Sequence, residues 1–127
     1  MKKLSVLLFC CLLLAACGNG KTDGSNAAEA HQSHKPSLDA KVEVNGHDVK
    51  VTVTTDMTIS KNHYGQARQD GEGHIHMYLD GGEKMGVKAP EHVIPNVPTG
   101  HHSLKVSLHN NDHTPYDVTK TYEFEVK

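Results

Sequence analysis

The chemically most specific pattern in the sequence is a pair of histidines, His74 and His76, separated by one residue. They lie in the alternating segment 73–80, in which Ile75 and Met77 occupy the opposite face of a predicted strand. Residues two apart on a strand project from the same face with Cα atoms about 6.6 Å apart, so both imidazoles can reach one ion. The pair therefore predicts two metal ligands. The alternative is a polar strand face that carries histidine without a ligand.

A second group of histidines follows the alternating segment 104–108, which predicts another strand. His109 would share the outward face of that strand, and His113 would lie in the loop just beyond it. If the two strands are neighbours in one sheet, His109 and His113 can complete a site begun by His74 and His76. The sequence thus predicts a four-histidine metal site on one face of a sheet.

Other histidines and one aspartate have less specific surroundings. Asp112 either orients an imidazole of the site, as carboxylates often do around metals, or forms a turn. His101 and His102 follow a turn that contains proline and glycine, where one of them is expected to hydrogen-bond to backbone. His31 and His34 lie in a polar segment and are expected to be solvated.

Period-two alternation at 38–44 and 49–53 predicts a β-hairpin. Asn45-Gly46 between the two segments is the strongest short hairpin signal, and as a two-residue loop it would set Val42 opposite Val49. The apolar residues then share one face, so turn and register agree.

The rest of the chain indicates further strands and one long loop. Residues 60–73 are polar, have no clear period and predict a loop of the kind that often carries function. Prolines restrict residues 83–97 to edge or connecting positions. Six or seven short strands over residues 38–127 predict an all-β domain, an antiparallel sandwich with Ig-like or cupredoxin-like architecture.

Residues 1–16 have the pattern of a secretory signal: a lysine pair, then thirteen uncharged and almost entirely apolar residues. The sequence Leu14-Ala15-Ala16-Cys17 resembles the lipobox of bacterial lipoproteins at every position. The resemblance implies cleavage before Cys17, a diacylglyceryl lipid on its thiol, and anchoring to the cell membrane on its extracytoplasmic face. Residues 17–37 would then be the lipidated cysteine and a flexible tether rich in small polar residues.

The composition limits the chemistry of the mature chain. Of three cysteines, Cys10 and Cys11 would leave with the signal peptide and Cys17 would carry the lipid, so no intramolecular disulfide is expected. Loss of two lysines leaves eleven basic against fifteen acidic residues, a formal net charge of −4 that argues against nucleic acid as a partner. All eleven histidines remain, so imidazole and carboxylate are the groups available for chemistry.

The segments around these histidines also resemble a group of small His-rich extracytoplasmic domains of bacteria. The resemblance is carried by Gly-His-Ile-His-Met-Tyr-Leu-Asp-Gly at 73–81, by Val-Pro-Thr-Gly-His-His-Ser-Leu at 97–104 and by Asn-Asn-Asp-His-Thr-Pro at 110–115. It implies a β-sandwich and a suspected metal site, carried over onto His74, His76, His102, Asp112 and His113. The His-x-His strand is also similar to one element of Cu,Zn superoxide dismutase, whose disulfide this sequence lacks.

Nitrogen ligands with occasional carboxylate favour Cu(II), Zn(II) or Ni(II), with copper or zinc preferred here, whereas Cu(I) would call for more sulfur. Ligand histidines must be neutral, so affinity should fall below about pH 6. The sequence therefore predicts a membrane-tethered metal-binding module acting through His74, His76, His109 and His113. The alternative is a structural or interaction module that binds an envelope protein. An enzyme is not expected, because no nucleophile motif or phosphate-binding loop is recognisable.

Overall fold

A computed structural model describes residues 34–127, and the expected signal peptide, the lipid on Cys17 and most of the tether lie outside the described residues. The described part is all-β. Its eight strands are β1 (Asp39–Asn45), β2 (Asp48–Thr54), β3 (Thr58–Ile59), β4 (Glu72–Leu79), β5 (Met85–Val87), β6 (Glu91–Ile94), β7 (Gly100–Asn110) and β8 (Pro115–Val126). No helix in the described range is long and apolar enough to cross a membrane.

The strands form two sheets that pack face to face. One sheet has the order β1-β2-β6, and the other has the order β3-β4-β7-β8 with β5 paired to β4. Alternate residues of the central strands are fully buried between the sheets, among them Val49 and Val51 from the first and Ile75, Met77 and Leu104 from the second. The predicted all-β sandwich is confirmed, with eight strands where six or seven were expected.

The first hairpin forms, but its loop is one residue later than predicted. The loop is Gly46-His47, and Val42 pairs with Val51 instead of Val49. This register gives Val44 an apolar partner in Val49, whereas the predicted register would have placed it opposite His47. Gly46 has φ +62°, and glycine at the first central position is the signature of a type II′ turn. Because the partner of each residue shifts by two positions along β2, the same residues face the core in either register.

The long loop between β3 and β4 has a topological cause. β3 and β4 pair in parallel, with Thr58 beside Glu72 and Ile59 beside Gly73. A parallel pair requires a crossover of a dozen or more residues, and residues 60–71 provide it. The crossover runs over the face of β4 that points away from the core, which is the face that carries His74 and His76.

The proline-containing segment 83–97 lies at sheet edges, as predicted. It supplies β5, which pairs only with β4, and β6, which pairs only with β2. Gly86 of β5 lies directly opposite His76 of β4. This neighbour has no side chain, and the space beside it is filled by the hydroxyl of Tyr64.

Candidate metal centre

Strands β4 and β7 are adjacent and antiparallel, as the four-histidine prediction required. His74 lies opposite His109, and His76 lies opposite Ser107. The core-facing partners are Ile75 and Leu108, so alternation directs all three histidines to the outer face of the five-stranded sheet. This part of the site follows from strand periodicity and register alone.

Three imidazoles converge on one point. Nε2 of His74 lies 2.9 Å from Nε2 of His76 and 3.1 Å from Nδ1 of His113. One ring nitrogen of each of these residues lies within 4.8 Å of the other two. A ring nitrogen offers a single in-plane lone pair or proton, so Nε2 of His74 cannot make a full hydrogen bond to both neighbours. We call His74, His76 and His113 the histidine triad.

His113 reaches the triad from the turn between β7 and β8. Its backbone has φ +69°, in the left-handed region that few residues other than glycine adopt. The amide of His113 donates to the carbonyl of Asn110 at 3.0 Å, and the amide of Asn110 donates to the carbonyl of Thr114 at 2.8 Å. Non-glycine residues in this region concentrate at functional sites.

His109, the fourth predicted ligand, is next to the triad but its nitrogens are engaged elsewhere. Its Nδ1–H donates to the carbonyl oxygen of His113 at 2.9 Å, and its Nε2 accepts from the hydroxyl of Ser107 at 3.0 Å. Its ring stacks on that of His76 with centroids 3.7 Å apart. In this arrangement His109 positions the turn that carries His113.

Two members of the triad are removed from water although they lie on the outer face of the sheet, whereas His113 is exposed. His74 is 0% exposed and His76 is 3% exposed. Tyr64, from the crossover loop, packs on two of the triad rings, with its ring centroid 4.5 Å from that of His74 and 4.7 Å from that of His113. The sequence predicted that this loop carries function but did not identify Tyr64, because nothing local indicates which loop residue contacts the strand.

Burial makes the strand histidines poor bases. Removal from water lowers the pKa of His74 to about 4 and that of His76 to about 3, and the neighbouring histidines and Lys84 add to the effect. Burial also lowers the pKa of His109. These imidazoles are therefore neutral near pH 7, the form in which histidine binds a metal. Nδ1 of His74 and Nδ1 of His76 are buried and have no hydrogen-bond partner among the described residues.

The donor set fits a divalent transition metal. Zinc–nitrogen bonds of about 2.0–2.1 Å in a tetrahedron place ligand nitrogens about 3.4 Å apart. The triad has 2.9 and 3.1 Å for two of these separations and no more than 4.8 Å for the third, so a metal would draw the rings into that geometry by opening the two short separations slightly and adjusting the third. Three protein nitrogens would leave a fourth coordination position for another ligand.

The remaining candidates lie outside the triad. Asp112 accepts from the backbone amide of Thr114 at 3.1 Å and from Nε of Arg68 at 3.1 Å, which matches the turn-forming alternative. His102 bonds to the Asp80 carboxylate and to the carbonyl of Pro98, each at 2.7 Å. This backbone bond is the one expected near that turn.

Two exposed histidines pair with carboxylates. His101 lies 2.9 Å from Glu123, and His34 lies 2.8 Å from Asp56. His31 lies outside the described residues. Neither exposed pair contributes to the triad.

No protein-family model matches the chain, and no curated protein matches it. Among solved structures, the PKD1 domain of Vibrio anguillarum Epp is 10% identical, with a TM-score of 0.51 over 76% of this chain and 98% of that domain. The PKD1 domain from Vibrio cholerae metalloprotease PrtV is 13% identical, with a TM-score of 0.48 over 72% of this chain and 96% of that domain. The first likeness concerns the fold alone. Of the two predicted architectures, the described domain has the Ig-like one.

Proposed function

We propose that this protein is a membrane-tethered metal-binding module that holds copper or zinc through His74, His76 and His113. The observation that carries the proposal is the convergence of three ring nitrogens within 4.8 Å of one another. Two of the three rings, those of His74 and His76, are buried and neutral, so these two ligands are desolvated and deprotonated before a metal arrives. Of the four ligands expected from the sequence, His109 serves in this proposal as a positioning residue.

The left-handed backbone of His113 provides a sharp test, because glycine adopts φ +69° without strain. His113→Gly should keep the fold and lose one ligand. Isothermal titration of Cu(II) and Zn(II) into the lipid-free Cys17→Ser protein should give micromolar or tighter binding, weakened at least about tenfold in His113→Gly. His101→Ala is the matched control, because His101 is exposed and paired with Glu123. Binding no tighter than millimolar, or equal binding in His113→Gly, would contradict the proposal.

Metal binding should also stabilise the fold. At a free metal concentration of about 100 times Kd, linkage adds about 2.7 kcal/mol. For a domain of this size that raises Tm by about 10–20 °C. A His74→Ala/His76→Ala variant should show no such shift, and thermal melts with and without a chelator measure it.

The membrane tether rests on the lipobox resemblance at Leu14-Ala15-Ala16-Cys17. Two or more acyl chains on Cys17 would hold the domain stably at the extracytoplasmic face of the cell membrane. Fractionation of cells that express the full chain tests this, with Cys17→Ser as the variant. We expect the wild-type protein in the membrane fraction and the variant released; a variant that remains fully membrane-bound would refute the anchor.

A second function, a structural or interaction module of the cell envelope without a metal role, is favoured by the fold. The described domain shares the fold of a PKD1 domain of another protein, and this likeness supports an interaction module better than metal handling. Capture of the same envelope protein by the wild-type protein and by His74→Ala/His76→Ala, with chelator present, would support this function. Capture that requires the triad would instead tie the interaction to metal.

A further inference from the structure

Tyr64 packs against two rings of the histidine triad, the buried ring of His74 and the exposed ring of His113. Its ring meets that of His113 edge-on, with an interplanar angle of 80°, and that of His74 at 56°. Lys88 places its ammonium 4.1 Å from the centre of the same ring. The phenol is therefore held between a cation and two imidazoles, on the face of β4 that points away from the core.

The hydroxyl of Tyr64 occupies the space left by Gly86. A Cβ atom at Gly86 would lie 2.6 Å from this hydroxyl oxygen, 3.4 Å from Cζ and 3.6 Å from Cε2. Because Gly86 pairs with His76, the phenol also extends towards His76. A side chain at position 86 would displace the ring, and the displaced atoms belong to the far end of a side chain, so the strands need not move.

The loop on both sides of Tyr64 is attached to the elements that carry the ligands. His63 donates to the carboxylate of Glu72, two residues before His74. The amide of Gly65 donates to the carbonyl of Asn111 at 2.7 Å, in the turn that carries His113. Residues 65–70 are otherwise exposed. A loop held at a few points can open locally while the sandwich stays folded.

We propose that Tyr64 is a cap that controls access to His74 and His76, the two buried members of the histidine triad, and that Gly86 is the residue that allows the cap to close. The consequence for metal exchange rests on the proposed function, whereas the control of access does not. Closing the cap would slow both entry and release of a metal ion, so its removal should change the rates more than the affinity.

Carbethoxylation of histidine by diethyl pyrocarbonate tests access without any metal. In chelator-treated protein, His74 and His76 should react slowly and exposed His101 quickly, as mapped by peptide mass spectrometry. Tyr64→Ala should raise the rate at His74 and His76 by about tenfold, the effect expected from losing two contacts between aromatic rings. The rate at His101 should not change. Equal protection of His74 in the wild-type protein and Tyr64→Ala would overturn the cap.

A pair of substitutions separates the cap from general loosening of the fold. Gly86→Ala should expose His74 and His76 as Tyr64→Ala does, because its Cβ displaces the hydroxyl. Tyr64→Phe should remain closed, and Tyr64→Phe/Gly86→Ala should close again, because the nearest ring carbon is then 3.4 Å from the Cβ. Absence of this rescue would refute the role of Gly86.

Metal release gives the second readout. Zn(II) bound to Tyr64→Ala and to Gly86→Ala should pass to an excess of a coloured chelator about tenfold faster than from the wild-type protein, with a smaller change in Kd. Tyr64→Phe should match the wild-type protein. If the wild-type protein binds no zinc, the proposed function fails while the carbethoxylation result still decides the cap. If zinc leaves all four proteins at one rate, the cap does not control exchange.

Discussion

The metal-free protein should lose stability in mild acid because of His74 and His76. Their folded pKa values are about 4 and about 3, whereas an unfolded histidine has a pKa of about 6.5. Lowered folded values mean that the unfolded state binds more protons between those limits. Stability is therefore fully present above about pH 6.5 and falls as the pH is lowered towards about 4.

The size of this loss at about pH 5 depends mainly on the unfolded state. Both rings are still neutral in the folded protein at that pH. In the unfolded protein the pH is about 1.5 units below the histidine pKa of about 6.5, so both imidazoles are protonated. At about 1.36 kcal/mol per unit, each ring contributes about 2 kcal/mol and the pair about 4 kcal/mol. A domain of this size has a total stability of about 5–15 kcal/mol, so the effect is easily measured.

Urea denaturation at about pH 8 and about pH 5, with chelator present, is the assay. His74→Leu/His76→Leu is the comparison, because apolar side chains in these buried positions do not titrate and leave no unpaired polar group. Other titrating residues are common to both proteins and cancel in the difference. We expect the wild-type protein to lose about 4 kcal/mol more than the variant between the two pH values. Parallel losses would show that these rings are not held neutral by the fold.

Three further predictions concern other parts of the structure. Gly73→Ala should destabilise the fold by about 1–3 kcal/mol or more, because the new Cβ would lie 1.9 Å from the carbonyl oxygen of His109. Urea denaturation measures this change, and an unchanged midpoint would contradict the close pairing of β4 with β7. The Asp80 carboxylate raises the pKa of His102, so the stability that this pair adds is present below about pH 6.5 and lost at higher pH; His102→Gln should remove that dependence from denaturation curves. Gly46→Ala should cost about 1 kcal/mol, or about 4–8 °C in Tm, because φ is +62°; a thermal melt with no shift would refute it.

Period-two alternation was sufficient to predict which side chains of β4 and β7 face the core and which face away. The same alternation placed His74, His76 and His109 on one outer face. It could not place the hairpin loop, because Asn45-Gly46 and Gly46-His47 both preserve the apolar face. The choice between them depends on cross-strand partners and on the sign of φ at Gly46, which alternation does not report.

The triad itself required information that lies outside any strand. His113 joins it through a left-handed turn, and His109 is diverted from it by hydrogen bonds to Ser107 and to the backbone of His113. Tyr64 was not identified from the sequence because its position follows from the parallel pairing of β3 with β4. Such non-local pairings leave no periodic signal in the loop that they create.

Strand β4 separates two roles on its two faces, and this separation has an evolutionary consequence. Ile75 and Met77 belong to the hydrophobic core between the sheets, while His74 and His76 are buried outside that core, against Tyr64 and His109. Relatives of this domain could therefore gain, lose or change the triad through a few substitutions on the outer face of the sheet, with the side chains of the hydrophobic core unchanged. For protein engineering, the same property makes the outer face of β4 and β7 a place where new ligand sets can be installed on an unchanged scaffold.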